Sequence, residues 1–217
     1  MTPPRDLARR LSHVRWIAGG TGAGKSTLAR ALADRHDVLI YDGDRAERGY
    51  VGRCTAREQP YLWALLHAPD ARRWNGRSAQ EILESMPSRH GETFGFVLDD
   101  LLALPADRPV LVDDFRTLPR DVAPLLTWPE QAVFLLPTPA FRDRALRARF
   151  ADPVRARANW GDSDHDEALA LRLARDELWD GEIRRQAVAS GLPLVTVDGS
   201  RDVRDLADDL AVRFRLG

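Results

Sequence analysis

The sequence predicts a doubly wound α/β fold, a five-stranded parallel sheet with helices on both faces. Two observations lead to this prediction. Short, continuous apolar runs recur along the chain, as in strands that are buried on both faces of a parallel sheet. Segments with helical patterning lie between these runs. The predicted strands are residues 14–18, 38–41, 110–112, 133–136 and 194–197.

The helical segments alternate with the strands except in one long interval. The predicted helices are residues 26–35, 79–86, 94–104, 140–150, 167–189 and 203–214. Residues 45–108 contain several helical pieces and no convincing strand, so we expect a helical insertion after the second strand, over the carboxyl edge of the sheet. A length of 217 residues suits a single domain with one such addition.

The composition is that of an ordinary globular protein. Hydrophobic residues make up 44% of the chain and charged residues 30%, with a formal net charge of -1. This balance provides no overall attraction to nucleic acid or to an anionic membrane, so neither partner is expected. No apolar segment approaches membrane-spanning length, and the single cysteine, Cys54, fits a reducing compartment. We therefore expect a cytoplasmic protein, and the sequence does not indicate its oligomeric state.

The chain has one lysine, Lys25, and it lies in the segment IAGGTGAGKST. This segment matches the pattern G-x-x-x-x-G-K-[ST] and stands between a predicted strand and a predicted helix, the context that the pattern requires. A glycine-rich turn without a ligand is the alternative. The glycines allow backbone N–H groups to surround a phosphate, at which the helix also points its positive end. The predicted nucleotide-binding residues are Gly20, Gly22, Ala23, Gly24, Lys25, Ser26 and Thr27.

Two of these side chains have predicted roles of their own. Lys25 is expected to bridge the β- and γ-phosphates of ATP, and the Ser26 hydroxyl is expected to bind Mg²⁺. A compact ammonium group fits inside such a loop, whereas the planar fork of arginine does not. This accounts for one lysine in a chain whose other long basic residues are arginines.

Acidic residues follow the second and third predicted strands. Asp42 and Asp44 come after the second strand, at the edge where open α/β sheets bind ligands. A carboxylate there can accept the proton of a hydroxyl that attacks the γ-phosphate, or help to hold Mg²⁺ through water. After the third strand, Asp113 is expected to orient Mg²⁺ through water. Plain acidic turns are the alternative for both pairs of aspartates.

The segment GGTGAGKST followed by YDGD resembles the P-loop small-molecule kinases of the adenylate-kinase-like group. Adenylylsulfate kinase, shikimate kinase, chloramphenicol phosphotransferase and gluconate kinase belong to that group. The resemblance implies that Asp44 contacts the acceptor hydroxyl and acts as the base, with Asp42 nearer the metal. DDFR, residues 113–116, is similar to the Asp-Gly-Phe-Pro-Arg of adenylate kinase, which implies that Arg116 contacts the acceptor. Here Asp114 replaces the glycine and the proline is missing.

The same resemblance implies a mobile, arginine-rich lid after the fourth strand, at residues 142–162. Lid arginines in that family close over the phosphates and stabilise the group in transfer. Arg147 and Arg149 are the predicted catalytic arginines of this segment.

These features predict an ATP- and Mg²⁺-dependent phosphotransferase that transfers the γ-phosphate to a hydroxyl of a small-molecule acceptor. A GTPase of the usual kind is excluded, because its Asn-Lys-x-Asp motif needs a second lysine. Two alternatives remain open: an ATP-binding regulatory or adaptor protein with slow hydrolysis, and a polynucleotide end kinase. Neutral net charge disfavours the second alternative. Nothing in residues 45–108 identifies the acceptor.

Overall fold

The computed structural model describes residues 4–68, 74 and 76–217. Five parallel strands form one sheet in the order β2-β3-β1-β4-β5. The strands are β1 (Val14–Gly19), β2 (Leu39–Asp42), β3 (Val110–Asp113), β4 (Ala132–Pro137) and β5 (Leu194–Val197). The predicted fold class, a five-stranded parallel α/β sheet with helices around it, is confirmed.

Eleven α-helices surround or extend this sheet in the described part of the chain. They are α1 (Pro4–Arg10), α2 (Lys25–Ala33), α3 (Gly43–Glu47), α4 (Pro60–His67), α5 (Ala79–Glu84), α6 (Phe94–Ala103), α7 (Pro119–Val122), α8 (Pro139–Phe150), α9 (Pro153–Trp160), α10 (His165–Ala189) and α11 (Val203–Phe214). Short 3₁₀ turns occupy Arg48–Gly52, Pro87–His90, Ala123–Leu125 and Pro129–Gln131. None of the helices predicted by range corresponds to α1, α3, α4, α7 or α9, which are all eight residues or shorter.

The central strands are buried on both faces, which explains why they are continuously apolar. Successive side chains of a strand point to opposite faces. Trp16 of β1 accordingly packs in one core cluster with Trp179 of α10, while the adjacent Ile17 packs in the other with Leu28 of α2 and Leu210 of α11. The two clusters therefore enclose the sheet between layers of helices, as expected of a doubly wound fold.

The register of the strands brings the residues of interest to one edge. Ile17 pairs with Asp113, and Asp113 pairs with Asp42, so β1, β3 and β2 end side by side. Because the strands are parallel, the loop after β1 and the acidic residues after β2 and β3 all lie at the carboxyl edge of the sheet.

Helices α3 to α6 lie between β2 and β3, and helices α8 and α9 follow β4. A third apolar cluster joins these two parts of the chain; it contains Trp74, Ile82, Leu146, Ala156, Trp160, Ala168 and Leu169. Residues 69–73 and 75 of the segment assigned to the insertion lie outside the described residues. The assignment of residues 45–108 to acceptor binding and of residues 142–162 to a lid remains a prediction.

None of the helices in the described part of the chain combines the length and the apolar character needed to cross a membrane.

A substitution at Phe134 tests whether the central sheet is covered by helices on both faces. Its side chain is fully buried in β4, next to the central strand β1. Phe134→Ala should lower the free energy of unfolding by about 3–5 kcal/mol, because the cavity adds to the lost apolar transfer energy. Val212→Ala is the control, since Val212 is 79% exposed on α11 and should change stability by less than about 0.5 kcal/mol. Equal effects of the two substitutions in urea unfolding would contradict this packing.

Candidate nucleotide-binding site

The loop after β1 is held against β4 by a close backbone contact. Gly19 has φ +118°, and a Cβ built there would lie 2.1 Å from the Leu135 carbonyl oxygen, so only glycine fits. The next residue, Gly20, donates its N–H to that same carbonyl at 2.8 Å. The start of the loop is therefore fixed to the neighbouring strand.

The end of the loop leaves the amino terminus of α2 open. Gly24 is the N-cap, with φ 79° and no side-chain cap, and the first turn of α2 has no acidic residue. The first N–H groups of any helix lack partners within the helix and carry its positive partial charge. A helix end of this kind has the features of an anion-binding site.

Lys25 places a buried ammonium group beside this helix end. Its Nζ donates to the carbonyl oxygens of Gly19 at 3.1 Å and Gly20 at 2.8 Å. Burial lowers the pKa of Lys25, while the carboxylates of Asp113, Asp114, Asp44 and Asp180 act in the opposite direction. A phosphate group at the loop would add negative charge close to the ammonium and would favour its charged form.

Ser26 and Asp113, the two predicted metal-binding residues, line the same cavity. Burial raises the pKa of Asp113, while the Ser26 hydroxyl and the charge of Lys25 act in the opposite direction. The hydroxyl and carboxylate oxygens are hard donors that suit Mg²⁺. Among the described residues, no group of three or more His, Cys, Asp or Glu side chains could hold a metal ion.

Arg116 is already bound by carboxylates. Its guanidinium pairs with both oxygens of Glu47, at 2.8 and 2.6 Å, and donates to Asp44 at 2.9 Å and Asp114 at 3.0 Å. Burial alone would lower the pKa of Arg116, but these three carboxylates outweigh it and the pKa is raised. In this structure Arg116 positions Asp44, whose side chain is 77% exposed toward the site.

The position of Asp114 explains why residue 43, in the YDGD segment, is a glycine. The Asp114 carboxylate is buried and accepts hydrogen bonds from Thr117 and Arg116. A Cβ built on Gly43 would lie 2.5 Å from Asp114 Oδ1. Glycine at position 43 therefore makes room for the aspartate that replaces the expected glycine after β3.

Asp42 caps the amino terminus of a helix. Its Oδ1 accepts the backbone N–H of Arg45 at 3.0 Å, which makes Asp42 the N-cap of α3. Asp42 does not line the cavity above the loop, whereas Asp44, in the first turn of α3, does.

A cavity of about 620 Å³ lies above the loop. Seven basic and three acidic side chains line it, in a chain with a net charge of -1. These residues are Lys25, Arg30, Arg116, Arg149, Arg155, Arg172 and Arg175, with Asp44, Asp113 and Asp114. Of the other predicted residues, Gly22, Gly24, Ser26 and Thr27 also line it, while Gly20 and Ala23 are buried beneath. The excess of basic groups suits a polyanion.

The two predicted lid arginines differ in position. Arg149 lines the cavity. Arg147, two residues earlier, does not line it, and its Nε donates to both Asp143 oxygens at 3.0 Å on the exposed face of α8. The catalytic role of both arginines remains a prediction.

Sequence reasoning missed Arg172 and Arg175, on the middle of α10. Their Nε atoms lie 3.7 and 2.8 Å from the carboxylate oxygens of the buried Asp176. Burial lowers the pKa of Arg172 to about 10, and the neighbouring Arg175 and Arg149 act in the same direction against Asp176. One carboxylate thus faces two arginines, which leaves positive charge directed at the cavity. Their i, i+3 spacing is visible in the sequence, but in an arginine-rich chain this spacing does not distinguish them from the other arginines.

Arg142, which falls in the predicted lid, contacts the loop together with Asp180, which the sequence did not indicate. Arg142 donates to the Thr21 carbonyl at 3.3 Å and forms a buried ion pair with Asp180. Burial raises the pKa of Asp180 to about 6, against the effect of Arg142. A Cβ on Gly20 would lie 2.5 Å from Asp180 Oδ1. These contacts join the loop to α8 and α10.

A second, largely apolar pocket of about 300 Å³ adjoins the cavity. Four residues line both: Phe115, Arg116, Asn159 and Arg175. The apolar pocket is formed mainly by the helices between β2 and β3.

The five-stranded parallel sheet and the glycine loop between β1 and α2 are those of a P-loop NTPase-like fold. No protein-family model matches the chain, and no curated protein matches its sequence. A tunicamycin resistance protein of Deinococcus radiodurans is similar in structure, with a TM-score of 0.46 and 13% identity, over 95% of this chain and 97% of that one.

An uncharacterized protein from Eubacterium ventriosum is similar at a TM-score of 0.44 and 13% identity, over 93% of this chain and 97% of that one. Likenesses this distant leave the interpretation of the site to the geometry of the chain's own residues.

Gly43 tests the packing beneath the acidic residues. Gly43→Ala should lower the free energy of unfolding by about 1–3 kcal/mol, because its methyl group overlaps the pinned Asp114. Gly49→Ala is the matched control, since a Cβ there meets nothing within 4 Å. Urea unfolding measures both variants. If Gly43→Ala is as stable as Gly49→Ala, Asp114 is not held as described.

Proposed function

We propose that the protein is an ATP- and Mg²⁺-dependent phosphotransferase whose acceptor is a hydroxyl of a small molecule. The observation that carries this proposal is the pair of adjoining cavities. One is basic and lies above the glycine loop, and the other is apolar and shares the wall of Phe115, Arg116, Asn159 and Arg175. A donor and an acceptor bound side by side would react as one assembled pair.

The basic cavity is the proposed ATP site. The open N–H groups of the loop and of the first turn of α2 would bind the β-phosphate, and Lys25 would bridge to the γ-phosphate. Arg149, Arg172 and Arg175 line the same cavity and would stabilise the charge of the phosphoryl group in transfer. Because Arg172 and Arg175 are packed on a long helix, they are positioned before the nucleotide arrives.

Ser26 and Asp113 are the residues that would hold Mg²⁺. When bound, the metal would neutralise charge on the β- and γ-phosphate oxygens. The protein's part would be to orient the two donor oxygens, and both residues line the same cavity.

Asp44 is the proposed base. It lines the basic cavity next to the shared wall, and Arg116 fixes its position. As the acceptor oxygen forms a bond to the γ-phosphorus, the bond from that phosphorus to the β-phosphate oxygen breaks, and the hydroxyl proton passes to Asp44 and then to solvent. The products are ADP and the phosphate ester. Closure of the arginine-rich segment at residues 142–162 would exclude water, which competes with the acceptor.

The alternatives explain fewer of these features. A regulatory or adaptor ATP-binding protein needs no second pocket beside the γ-phosphate position. A polynucleotide end kinase needs a path for a polyanion, whereas Glu47, Asp44 and Asp114 surround Arg116 at the shared wall.

Removing the lysine tests the ATP site. Lys25→Ala should weaken MgATP binding roughly 10- to 100-fold, the loss expected for a charged hydrogen-bond donor. Isothermal titration calorimetry measures the affinity. Arg9→Ala is the control for charge, because Arg9 is 82% exposed and paired with Asp6. Unchanged affinity in Lys25→Ala would refute the assignment of the loop.

The roles of Asp44 and Asp42, the two carboxylates after β2, can be tested separately. Asp44→Asn should lower the rate of phosphate transfer roughly 100- to 10,000-fold and leave the affinity for ATP nearly unchanged. Asp42→Asn should keep most of the activity, because asparagine caps a helix as well as aspartate does. ADP release in the presence of an acceptor gives the rates. The reverse pattern would transfer the base role to Asp42.

A further inference from the structure

Asn159 lies where the two cavities meet. It belongs to α9 and lines both the basic cavity above the glycine loop and the apolar pocket beside it. Three other residues line both: Phe115, whose side chain is apolar, and the charged Arg116 and Arg175. Asn159 is therefore the neutral polar group of this shared wall.

The orientation of the Asn159 amide is set by a hydrogen bond to a neighbouring arginine. Arg172 Nη1 donates to Asn159 Oδ1 at 3.1 Å. A guanidinium group has donors and no acceptor, so the amide oxygen faces Arg172 and the amide nitrogen points elsewhere. A hydrogen bond from a cation also polarises the amide, which makes its N–H groups stronger donors.

The amide nitrogen of Asn159 has no hydrogen-bond partner among the described residues, although the atom is buried. The same holds for the Nε atoms of Arg172 and Arg175, which line the same cavity. These two atoms lie near the Asp176 carboxylate without the geometry of a hydrogen bond. Buried donors in proteins nearly always have an acceptor. Three such donors along one cavity would suit the oxygens of an anion.

Contacts of the main chain and of the next residue hold this amide in place. The Asn159 carbonyl oxygen accepts the indole N–H of Trp74 at 3.3 Å. Trp160, which follows Asn159, is 1% exposed and packs in one cluster with Trp74 and with Leu146 of α8. The end of α9 is therefore fixed on two sides, and little ordering of Asn159 is needed when a ligand binds.

We propose that the Asn159 side chain recognises the γ-phosphate of ATP, with Nδ2 donating a hydrogen bond to one of its oxygens where the phosphate faces the acceptor. This inference rests on the proposed phosphotransferase function and adds a residue to its catalytic machinery. Arg149, Arg172 and Arg175 would supply positive charge, whereas the neutral amide would fix the direction of one phosphate oxygen. Because ADP lacks the γ-phosphate, the bond forms with ATP and not with ADP.

The side-chain amide can be observed directly, because the chain contains two asparagines, Asn75 and Asn159. In ¹H–¹⁵N spectra of protein labelled with ¹⁵N-asparagine, the side-chain signals that disappear in Asn159→Asp are those of Asn159. MgAMP-PNP, an ATP analogue that resists transfer of its γ-phosphate, should shift these signals. MgADP should leave them nearly in place, because it has no γ-phosphate to accept the hydrogen bond.

Substitutions measure the contribution of the amide to nucleotide affinity. Asn159→Ala removes the donor and should weaken MgAMP-PNP binding roughly 10- to 100-fold, the loss expected for a hydrogen bond to a charged group. MgADP binding should change by less than about twofold. Asn159→Asp keeps an acceptor for Arg172 and should weaken MgAMP-PNP binding further, because its charge repels the phosphate. Gln80→Ala is the control, since Gln80 is an exposed amide on α5 that lines neither cavity.

The outcomes separate this inference from the proposed function. If MgAMP-PNP binds in calorimetry but leaves the Asn159 signals in place, or if MgADP shifts them equally, the inference is wrong and the ATP site stands. Equal losses of both affinities in Asn159→Ala, or wild-type affinity for MgAMP-PNP in Asn159→Asp, also overturn it, because they indicate a purely structural role. If neither nucleotide binds the wild-type protein, the proposed function is refuted and the inference with it.

Discussion

A buried ammonium group between two carbonyl oxygens is the feature on which the site depends. Lys25 makes hydrogen bonds to the backbone of Gly19 and Gly20, and the carboxylates around it act on its charge without replacing those bonds. The close fit of Gly19 against β4 keeps the loop open at this point. A buried positive charge in such surroundings favours a nearby anion, which is the physical basis of the proposed phosphate site.

The other charged residues of the site form two groups, one on each side of the cavity. On one side, Arg116 holds Asp44, Glu47 and Asp114 in place, so the acids after β2 and β3 form one rigid group. On the other, Arg172 and Arg175 share Asp176 and retain positive charge toward the cavity. In the proposed function, the basic groups would bind the polyphosphate and the acidic groups would face the acceptor. This separation of sign across a small space is what phosphate transfer to a hydroxyl requires.

Local patterns in the sequence were sufficient for the sheet and for the glycine loop. Buried strands read as apolar runs because both of their faces are covered, and the loop has a spacing that few other structures need. They were insufficient for short helices such as α7 and α9, which begin at prolines and contain too few residues to show a period. Trp160 of α9 is buried by a cluster that only the tertiary structure brings together.

The positions of candidate site residues could be predicted where they follow a strand. They could not be predicted where the residue lies in the middle of a helix. Asp113 and Asp44 could be placed from the ends of β3 and β2. Arg116 was expected to meet the acceptor, yet its partners come from α3 and could not be inferred from its own segment. Arg172 and Arg175 reach the cavity only through the packing of α10, and an arginine-rich composition gave them no distinguishing signal.

The most direct measurement of this account is the response of the loop's backbone amides to nucleotide. In ¹H–¹⁵N spectra of the isotopically labelled protein, addition of MgATP should cause the largest shifts at the amides of Gly22, Gly24, Lys25 and Ser26, because in the proposed site these groups would surround the phosphates. If MgATP leaves these four signals in place, or shifts only signals from distant parts of the chain, the loop is not a phosphate site and the account is wrong.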